Sequence, residues 1–430
     1  MDRFKIIGGR PLSGTVRPAG NKNSALPMLA ATLLGDSPSI LSNVPDIGDV
    51  RTMLSLLEAL GAEVERGSNG TVRVDPSRVR PVPLDTELSA KIRASLLLAG
   101  PMLGRFGEIT LPPPGGDTIG RRRNDTHWLA LEALGATLEV VNHIHELRAP
   151  AGLVGADILL DEASVMATEN AVMAAVLAKG TTIIRNAASE PHVQDLCAML
   201  VQMGAKIEGI GSNLLVIEGQ DNLSGANVTI SADFMEIGSF IGLGAITEGN
   251  LRIGPVDHET LRMIVAKFDI LGVKITVNGD YIQVPSGQEL IIREDHGGKI
   301  PRIHEAPWPG FPADLMSIAL VVATQASGTV LLHQWMFESR LYFTDRLIEM
   351  GARIIVADPH RAVVTGPSLL RGSTVQSPDI RAGMALLMAA MCAEGPSTIG
   401  NIHQIDRGYE RIDEKLRMLG ADIERISAND

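Results

Sequence analysis

Aromatic residues and cysteines are scarce in this sequence. Aromatics make up 3 % of the 430 residues, while alanine, glycine, leucine and methionine are plentiful. The core must therefore consist of small and flexible side chains that pack closely. The two cysteines, Cys197 and Cys392, both fall in apolar helical patterns. This placement predicts two reduced core thiols.

The sequence also lacks long hydrophobic runs. The first residues, MDRFKIIGG, contain no apolar segment typical of a signal peptide. The longest apolar stretch, residues 382–393, is too short to cross a bilayer of about 30 Å. No cluster of cysteine and histidine suggests a metal site. We therefore expect a cytoplasmic enzyme with no membrane partner, no metal and no cofactor.

Basic residues are fewer than acidic residues in this sequence. The chain has 38 Lys and Arg against 50 Asp and Glu, a formal net charge of −12. Nucleic-acid recognition normally requires a basic surface, so we expect no nucleic-acid partner. An anionic small substrate is compatible with this charge if the pocket is locally basic. The length suggests two domains, and the composition is that of a globular protein.

One nine-residue pattern, LEALGAEVE at residues 57–65, occurs six times. Its glycines lie 68 to 79 residues apart, at Gly61, Gly135, Gly204, Gly272, Gly351 and Gly420. Each copy predicts an amphipathic outer helix, a glycine that ends it in the left-handed C′ position, and a half-buried strand. Asp46 and Asp49 are the predicted N-caps of the first such helix. A solenoid is disfavoured because solenoid repeats usually span about 20–50 residues.

A second series of helical patterns lies between these copies and is apolar nearly all round, which indicates burial on every side. Its members are residues 23–34, 94–103, 164–178, 235–246, 314–326 and 380–391. Strands that begin with glycine follow in the same phase. We therefore predict six units, three per domain, with one inner helix each and a domain boundary near Ala232.

Polar residues recur at the first turns of these inner helices. They are Asn21, Lys22, Asn23, Lys91, Arg93, Ser164, Asp233, Glu236, Asp314, Asp379 and Arg381. Any one of them could be a plain N-cap or a solvated surface charge. Their recurrence at matching phase favours anion binding at helix N-termini. If the inner helices run parallel, these ends meet on one face of each domain, and we expect a cationic cleft between the domains.

The loop at residues 111–127 carries a different signal. Gly115 and Gly116 permit unusual backbone conformations and close approach. Asp117 follows them, and Arg121, Arg122 and Arg123 place three cations beside that carboxylate. The loop is either a solvated charge run or a mobile lid that brings an acid and cations to a bound anion.

Several motifs together resemble one family over essentially the whole chain. They are GNKNSALP at 20–27, GGDTIG at 115–120, FPADL at 311–315, FESR at 337–340, DIRAG at 379–383 and IDRGYERI at 405–412. The sequence is similar to the UDP-N-acetylglucosamine 1-carboxyvinyltransferases, which are enolpyruvyl transferases of peptidoglycan synthesis. The resemblance implies an α/β fold of two inside-out α/β barrel (α/β prism) domains, each of three repeated βαβαββ-like units. The first domain would cover residues 18–231, and the second residues 1–17 plus 232–430, with the active site in the cleft.

The resemblance also implies substrates and residue roles. The enolpyruvyl group of phosphoenolpyruvate would pass to the 3-hydroxyl of UDP-N-acetylglucosamine, and phosphate would leave. Asp117 would be the proton donor of the lid, and Asp314 would take the proton from the sugar hydroxyl. Lys22, Arg122, Arg381 and Arg407 would contact phosphoenolpyruvate, with Asn23 and Arg93 at the substrate entrance. The nucleotide-sugar site would be lined by Arg122, Arg123, Asn124, Asp125, Thr126, Glu162, Ala163, Ser164, Val165 and Met336.

The chain departs from the family pattern at Asp117, where the best-known members have cysteine. An aspartate in water titrates near ~3.9, so we expect Asp117 to become an acid only in a closed complex with bound phosphoenolpyruvate. Fosfomycin, an epoxide that alkylates the family cysteine, should fail here.

Three further departures concern the acceptor. Glu162 stands where many members have lysine, Met166 where glycine is common, and Phe234 where arginine is common. They keep open an enolpyruvyl transferase that acts on another nucleotide or sugar. A silent nucleotide-sugar-binding paralogue is a further alternative, although the candidate catalytic residues are all retained. The sequence does not indicate an oligomeric state.

Overall fold

The computed structural model describes residues 2–117 and 119–427, which divide into two compact units. The N-terminal unit consists of residues 20–117 and 122–231. The C-terminal unit consists of residues 2–19, 119–121 and 232–427. Each unit has its own hydrophobic core.

The N-terminal unit contains three small sheets. In spatial order, the first is Asn227–Thr229, Ser39–Ser42, Val72–Asp75 and Glu63–Arg66; the second is Glu108–Leu111, Ile144–Arg148 and Thr137–Val141; the third is Lys206–Glu208, Leu214–Glu218, Thr181–Arg185 and Asp157–Leu159. Each four-stranded sheet has one parallel pair, and its other pairs are antiparallel.

The C-terminal unit also contains three sheets. They are Thr374–Gln376, Pro396–Gly400, Arg3–Ile7 and Asp422–Ile426; Thr276–Asn278, Tyr281–Val284, Asn250–Ile253 and Ser13–Val16; and Arg302–His304, Gly328–His333, Arg361–Gly366 and Ile354–Asp358. The first strand of the chain, Arg3–Ile7, lies between two strands from the far end of the sequence. The C-terminal unit is therefore completed by residues from both ends of the chain.

The six outer helices are those that the repeat predicts. They are Gly48–Ala59, Asp125–Ala133, Pro191–Gln202, His258–Ile270, Thr344–Glu349 and Ile412–Met418. The glycine of every copy has a positive φ, between 84° and 110°, and a strand follows each one. The predicted left-handed C′ position is thus confirmed in all six copies. The predicted caps of the first helix are wrong, because Ile47 is its N-cap and Asp49 lies buried inside the first turn.

The six inner helices are Lys22–Ala31, Ala99–Phe106, Val165–Ala175, Phe234–Ile246, Met316–Gln325 and Ile380–Cys392. All thirteen residues of Phe234–Ile246 are buried. A Cβ at Gly242 would lie 2.9 Å from the terminal methyl of Met388 and 3.0 Å from a methyl of Val322, so a larger residue there would force these side chains to shift. Two inner helices begin differently from the prediction, because 3₁₀ turns at Arg93–Leu98 and Ala313–Leu315 precede them.

The remaining helical segments are short. They are Thr86–Ser89 and His403–Asp406, with 3₁₀ turns at Thr32–Leu34 and Ser68–Gly70. Both cysteines are free thiols; Cys197 is buried and Cys392 is partly exposed. Within residues 2–117 and 119–427, no helix is both long and apolar enough to cross a membrane.

Candidate active site

In the C-terminal unit, a carboxylate is held between two guanidinium groups. Asp314 accepts hydrogen bonds from Arg340 Nη2 at 2.6 Å and from Arg381 Nε at 2.9 Å. Asp314 belongs to the 3₁₀ turn before one inner helix, and Arg381 belongs to the first turn of another. Asp379 caps that second helix by accepting from the backbone N of Arg381 at 2.8 Å. The starts of two inner helices thus bring an acid and a cation together.

Arg381 is buried, with 4 % of its surface exposed. Burial opposes its charge, but Asp314, Tyr409 and Asp233 outweigh that effect and raise the pKa of Arg381. Its Nη1 has no hydrogen-bond partner within residues 2–117 and 119–427. A buried guanidinium donor without a partner requires an explanation. An anionic ligand with a carboxylate or phosphate oxygen would supply the missing acceptor.

The motif IDRGYERI places Arg407 and Tyr409 in the same unit. The guanidinium of Arg381 lies 5.4 Å from the centre of the Tyr409 ring, and the Tyr409 hydroxyl lies 3.0 Å from Ser239 Oγ. Arg407 follows the short helix His403–Asp406, and its Nη1 donates to Gln404 Oε1 at 2.8 Å. The peptide around Tyr409 therefore packs directly against the buried Arg381.

Arg425 fixes the chain next to Arg407. It donates two hydrogen bonds to Asp406, at 2.7 and 2.8 Å, and another to Asp413 at 2.9 Å. A bidentate pair of this kind sets orientation as well as distance. The residue before Arg407 is thus tied to the strand Asp422–Ile426.

The segment that contains Met336 is fixed by hydrogen bonds to the buried carboxylate of Glu305. Both oxygens of Glu305 accept hydrogen bonds, one from the backbone N of Met336 and one from the side-chain amide of Gln334. Glu305 is fully buried, and burial raises its pKa to about 7. Neither Glu305 nor Arg340 was among the candidate residues. Arg340 could have been found, because it ends the FESR motif, whereas nothing in the sequence marks Glu305.

In the N-terminal unit, Arg93 connects to the segment after the lid loop. Its Nη2 donates to the backbone O of Arg123 at 2.8 Å and to Asn124 Oδ1 at 2.6 Å. Burial, together with the charge of Arg122 and against that of Glu162, lowers the pKa of Arg93 to about 10. Arg93 therefore still carries its charge at neutral pH. Arg93 therefore lies close enough to Arg122 and to Glu162 for their charges to change its pKa.

The predicted nucleotide-sugar residues of this unit gather around Asp161. Arg123 donates to Asp125 at 3.0 Å and to Asp161 at 2.8 Å, and Thr126 Oγ1 donates to Asp161 at 2.7 Å. The Thr126 hydroxyl and the Arg123 guanidinium lower the pKa of Asp161. Asp161 thus joins residues 123–126 to the start of the inner helix Val165–Ala175.

The other members of this predicted set follow Asp161 directly. Ser164 occupies the N-cap position of that helix, although its side chain makes no capping hydrogen bond. Ala163 and Val165 are half-buried beside it, and Glu162 is exposed. Asp161 itself was missed because an aspartate shortly after a strand, here Asp157–Leu159, has no distinctive sequence signal.

Lys22 is buried and paired with Asp49. The two charged atoms lie 2.6 Å apart, and Lys22 is 9 % exposed. Asn21 is the N-cap of this inner helix, and it accepts from the backbone N of Asn23 and Ser24 at 2.8 and 3.2 Å. Lys22 is therefore held on the first turn of the helix, and the carboxylate of Asp49 partly neutralises its charge. Lys22 lies in the N-terminal unit, as Arg93 does.

The glycines before Asp117 are needed for close packing inside the protein. A Cβ at Gly115 would lie 1.8 Å from the backbone O of Ala90. Gly116 has a φ of 112°, and a Cβ there would lie 3.0 Å from the Cβ of Arg93. Asp117 itself is half-buried. The loop therefore runs directly over the Arg93 segment, as the GG pair requires.

The next described residues of this loop, 119–121, belong to the C-terminal unit. The carboxylate of Glu338 accepts from the backbone N of Arg121 at 3.2 Å. The backbone N of Ser339 donates to the backbone O of Ile119 at 3.2 Å. The FESR motif thus contacts the chain shortly after Asp117.

The chain is similar to known proteins along almost its whole length. The family model for EPSP synthase (3-phosphoshikimate 1-carboxyvinyltransferase) matches residues 6–416. UDP-N-acetylglucosamine 1-carboxyvinyltransferases from Bradyrhizobium diazoefficiens and Treponema denticola are 55 % and 53 % identical to this chain. Each alignment covers 99 % of this chain, and it covers 98 % and 99 % of the relative, respectively.

Two solved structures share the fold. The enolpyruvyl transferase NikO from Streptomyces tendae has a TM-score of 0.88 at 26 % identity, over 99 % of both chains. An EPSP synthase from Acinetobacter baumannii has a TM-score of 0.76 at 18 % identity, over 99 % of this chain and all of the other. At this low identity, the likeness shows only that the two proteins share a fold. The predicted fold class and the predicted resemblance are both confirmed. The chain belongs to the EPSP synthase family, and its full-length relatives at 53–55 % identity are UDP-N-acetylglucosamine 1-carboxyvinyltransferases.

Proposed function

We propose that this protein transfers the enolpyruvyl group of phosphoenolpyruvate to the 3-hydroxyl of UDP-N-acetylglucosamine and releases phosphate. The names of its full-length relatives support the pair of substrates. The observation that carries the chemistry is the buried Arg381, which binds Asp314 through Nε while its Nη1 lacks a partner within the described residues. The free donor of Arg381 can bind the anionic phosphoenolpyruvate. The Asp314 carboxylate beside it can accept the proton of the sugar hydroxyl.

The reaction needs a base, an acid and fixed cations. The sugar oxygen adds to C2 of phosphoenolpyruvate and loses its proton, while C3 gains a proton. The tetrahedral adduct then loses phosphate from C2 and a proton from C3, which leaves an enol ether. Asp314 is the base of the first step in this proposal, and Asp117 is the acid. Guanidinium groups stabilise the carboxylate and phosphate charges without the need for reorganisation.

The two arginines on Asp314 determine when that carboxylate can act as a base. Two guanidinium partners favour its ionised form but also make it a weaker proton acceptor. We infer that phosphoenolpyruvate draws Arg381 toward its own carboxylate or phosphate. Asp314 would then keep Arg340 as its partner, at 2.6 Å in the free protein, and would become more basic once substrate is bound.

The remaining site residues belong to the same proposal. Lys22, Arg122 and Arg407 bind phosphoenolpyruvate, and Asn23 and Arg93 lie at the entrance. Residues 122–126, 162–165 and Met336 contact the nucleotide-sugar. A cytoplasmic location and a role in peptidoglycan synthesis are further parts of the proposal.

Phosphate release with a panel of acceptors tests this function. The purified protein is mixed with phosphoenolpyruvate and, separately, with UDP-N-acetylglucosamine, UMP or shikimate 3-phosphate. We expect phosphate release with UDP-N-acetylglucosamine only, together with a product whose mass is that of the acceptor plus an enolpyruvyl group.

Other outcomes have distinct meanings. Activity with UMP alone would replace the proposed acceptor by another nucleotide, the alternative to which Glu162 and Met166 point. Binding of UDP-N-acetylglucosamine without turnover of any acceptor would favour a silent paralogue.

A further inference from the structure

Glu305 is a fully buried carboxylate that the proposed chemistry does not use. It follows the strand Arg302–His304, and its side chain is 0 % exposed. A carboxylate is costly to bury unless hydrogen-bond donors surround it. Glu305 has these donors, since Met336 N and Gln334 Nε2 bind its two oxygens. All of these groups lie in the C-terminal unit.

The same residue binds this stretch of chain at a third point. The backbone O of Glu305 accepts from Trp335 Nε1 at 2.7 Å. Three consecutive residues, 334 to 336, thus each donate a hydrogen bond to Glu305. Met336 N has no strand partner among the paired strands, because the strand Gly328–His333 ends before it. The Glu305 carboxylate therefore replaces a missing backbone acceptor.

The far end of this stretch is also fixed. We define residues 334–340 as the acceptor segment. At its end, Arg340 donates to Asp314 at 2.6 Å. Glu305 therefore anchors one end of the acceptor segment, and the candidate base Asp314 anchors the other. Met336, the residue expected to touch the nucleotide-sugar, lies between the two anchors.

We propose that Glu305 is a positioning residue for the sugar acceptor, which acts by fixing the backbone at Met336. The inference rests on the proposed function and adds the element that sets the distance between the acceptor hydroxyl and Asp314. Small displacements of such an element reduce reactivity strongly. Glu305 need not touch the substrate to have this effect.

The geometry predicts an effect on one substrate and not on the other. Arg381 is connected to the acceptor segment only indirectly, through Asp314, which also binds Arg340 at the end of the segment far from Glu305. The backbone of Gln334 is held independently, because its N donates to His360 O at 2.7 Å and its O accepts from His360 Nδ1 at 2.8 Å. Loss of the Glu305 carboxylate should therefore free Met336 without opening the sheet. Binding of the acceptor should weaken, and binding of phosphoenolpyruvate should not.

The test compares steady-state kinetics of Glu305→Ala, Glu305→Gln and the exposed control Glu289→Ala. We expect Glu305→Ala to raise KM for UDP-N-acetylglucosamine by about tenfold and to leave KM for phosphoenolpyruvate within about twofold. Glu305→Gln should recover most of the acceptor affinity. Its oxygen still accepts from Met336 N, and the Gln334 amide can turn to present its own oxygen.

Hydrogen exchange gives a readout that does not depend on activity. Exchange in a peptide covering residues 334–340 should be about tenfold faster in Glu305→Ala than in the natural protein, and should change little in Glu305→Gln. If Glu305→Ala does not yield folded protein, Gln334→Met removes one donor to the carboxylate. That variant should raise KM for the acceptor by about threefold.

The outcomes separate this inference from the proposed function. Equal increases of both KM values, or unchanged exchange at residues 334–340 in Glu305→Ala, would overturn the positioning role while the transferase activity stands. If the natural protein uses no acceptor of the panel but exchange accelerates as expected, the proposed function fails and Glu305 still anchors the segment.

Discussion

At the scale of single residues, the bond pattern of Asp314 makes the sharpest prediction. Asp314→Asn keeps the size of the side chain and removes the charge and the basicity. We expect kcat for phosphate release to fall by about 10²- to 10⁴-fold, the usual contribution of a general base. The matched control is Asp345→Asn, which changes an exposed aspartate of the same unit. Equal kinetics for Asp314→Asn and the natural protein would show that the base lies elsewhere.

Asp117 makes a chemical prediction about fosfomycin. A thiolate opens an epoxide far more readily than a carboxylate does, because sulfur is the stronger nucleophile. The natural protein should therefore keep its activity in the presence of fosfomycin and show no added mass. Asp117→Cys should acquire the covalent adduct, as intact-protein mass spectrometry would show. An adduct located on Asp117 itself would contradict the prediction.

Glu305 links stability to pH. Burial raises its pKa from the usual 4.5 to about 7, against the opposing effects of Met336 N and Arg340 and with some help from Asp314. Between these two values the folded state holds the proton more strongly than the unfolded state, so stability falls as pH rises. The effect is nearly complete about one pH unit above the folded-state pKa.

The measurement is a comparison with Glu305→Gln, which cannot titrate. The free energy of unfolding of the natural protein, relative to this variant, should fall by up to about 3 kcal/mol between pH 4.5 and pH 8. Urea unfolding at several pH values would test it. A difference that stays constant across this range would contradict the raised pKa.

The sequence predicted residues of the site better than their partners. Asp314 and Arg381 could be proposed because each follows a strong local signal, the start of an apolar helix. Lys22 was expected to meet substrate, but its bond to Asp49 could not be foreseen, since a buried pair depends on how two helices pack. Glu305 was missed for the same reason, because its donors lie about thirty residues further along the chain.

At the scale of elements, a glycine with a positive φ ends each outer helix and allows the chain to turn into the following strand. Gly135 has φ 98°, and a Cβ there would meet nothing within 4 Å. Gly61 has φ 102°, but a Cβ there would lie 2.6 Å from Arg78 O. Gly135→Ala should therefore cost only the backbone strain, about 1 kcal/mol. Gly61→Ala should cost clearly more, because a clash is added.

Urea unfolding midpoints of the two variants measure this difference. Asparagine tolerates the left-handed region better than alanine, so Gly135→Asn is the matched control and should cost less than Gly135→Ala. Equal losses at Gly61 and Gly135 would mean that neighbouring atoms make no contribution.

The repeat predicted most elements but not their first turns. Outer helices and their strands follow from periodicity and from one glycine, which are local signals. The 3₁₀ turns at Arg93–Leu98 and Ala313–Leu315 do not follow from any local preference. Tertiary contacts decide the geometry there, and these are the turns that carry Arg93 and Asp314. The prediction was therefore weakest where the site residues lie.

At the scale of the whole molecule, the strand Arg3–Ile7 joins the two ends of the sequence. Phe4 is fully buried, and the guanidinium of Arg425 lies 4.9 Å from the centre of its ring. Phe4→Ala should cost about 3 to 5 kcal/mol, as other large core truncations do. Lys5→Ala, on the exposed face of the same strand, should change stability by less than about 0.5 kcal/mol. Similar unfolding midpoints for the two variants would contradict the burial of this strand.

This strand also sets the order in which the chain can fold during synthesis. Its partners, Pro396–Gly400 and Asp422–Ile426, leave the ribosome almost four hundred residues after it. At about 5 to 20 residues per second, it waits for roughly 20 to 80 s. The N-terminal unit closes much earlier, when Asn227–Thr229 pairs with Ser39–Ser42. Arg3–Ile7 is thus made long before its two partner strands, and the nascent chain carries it unpaired throughout that interval.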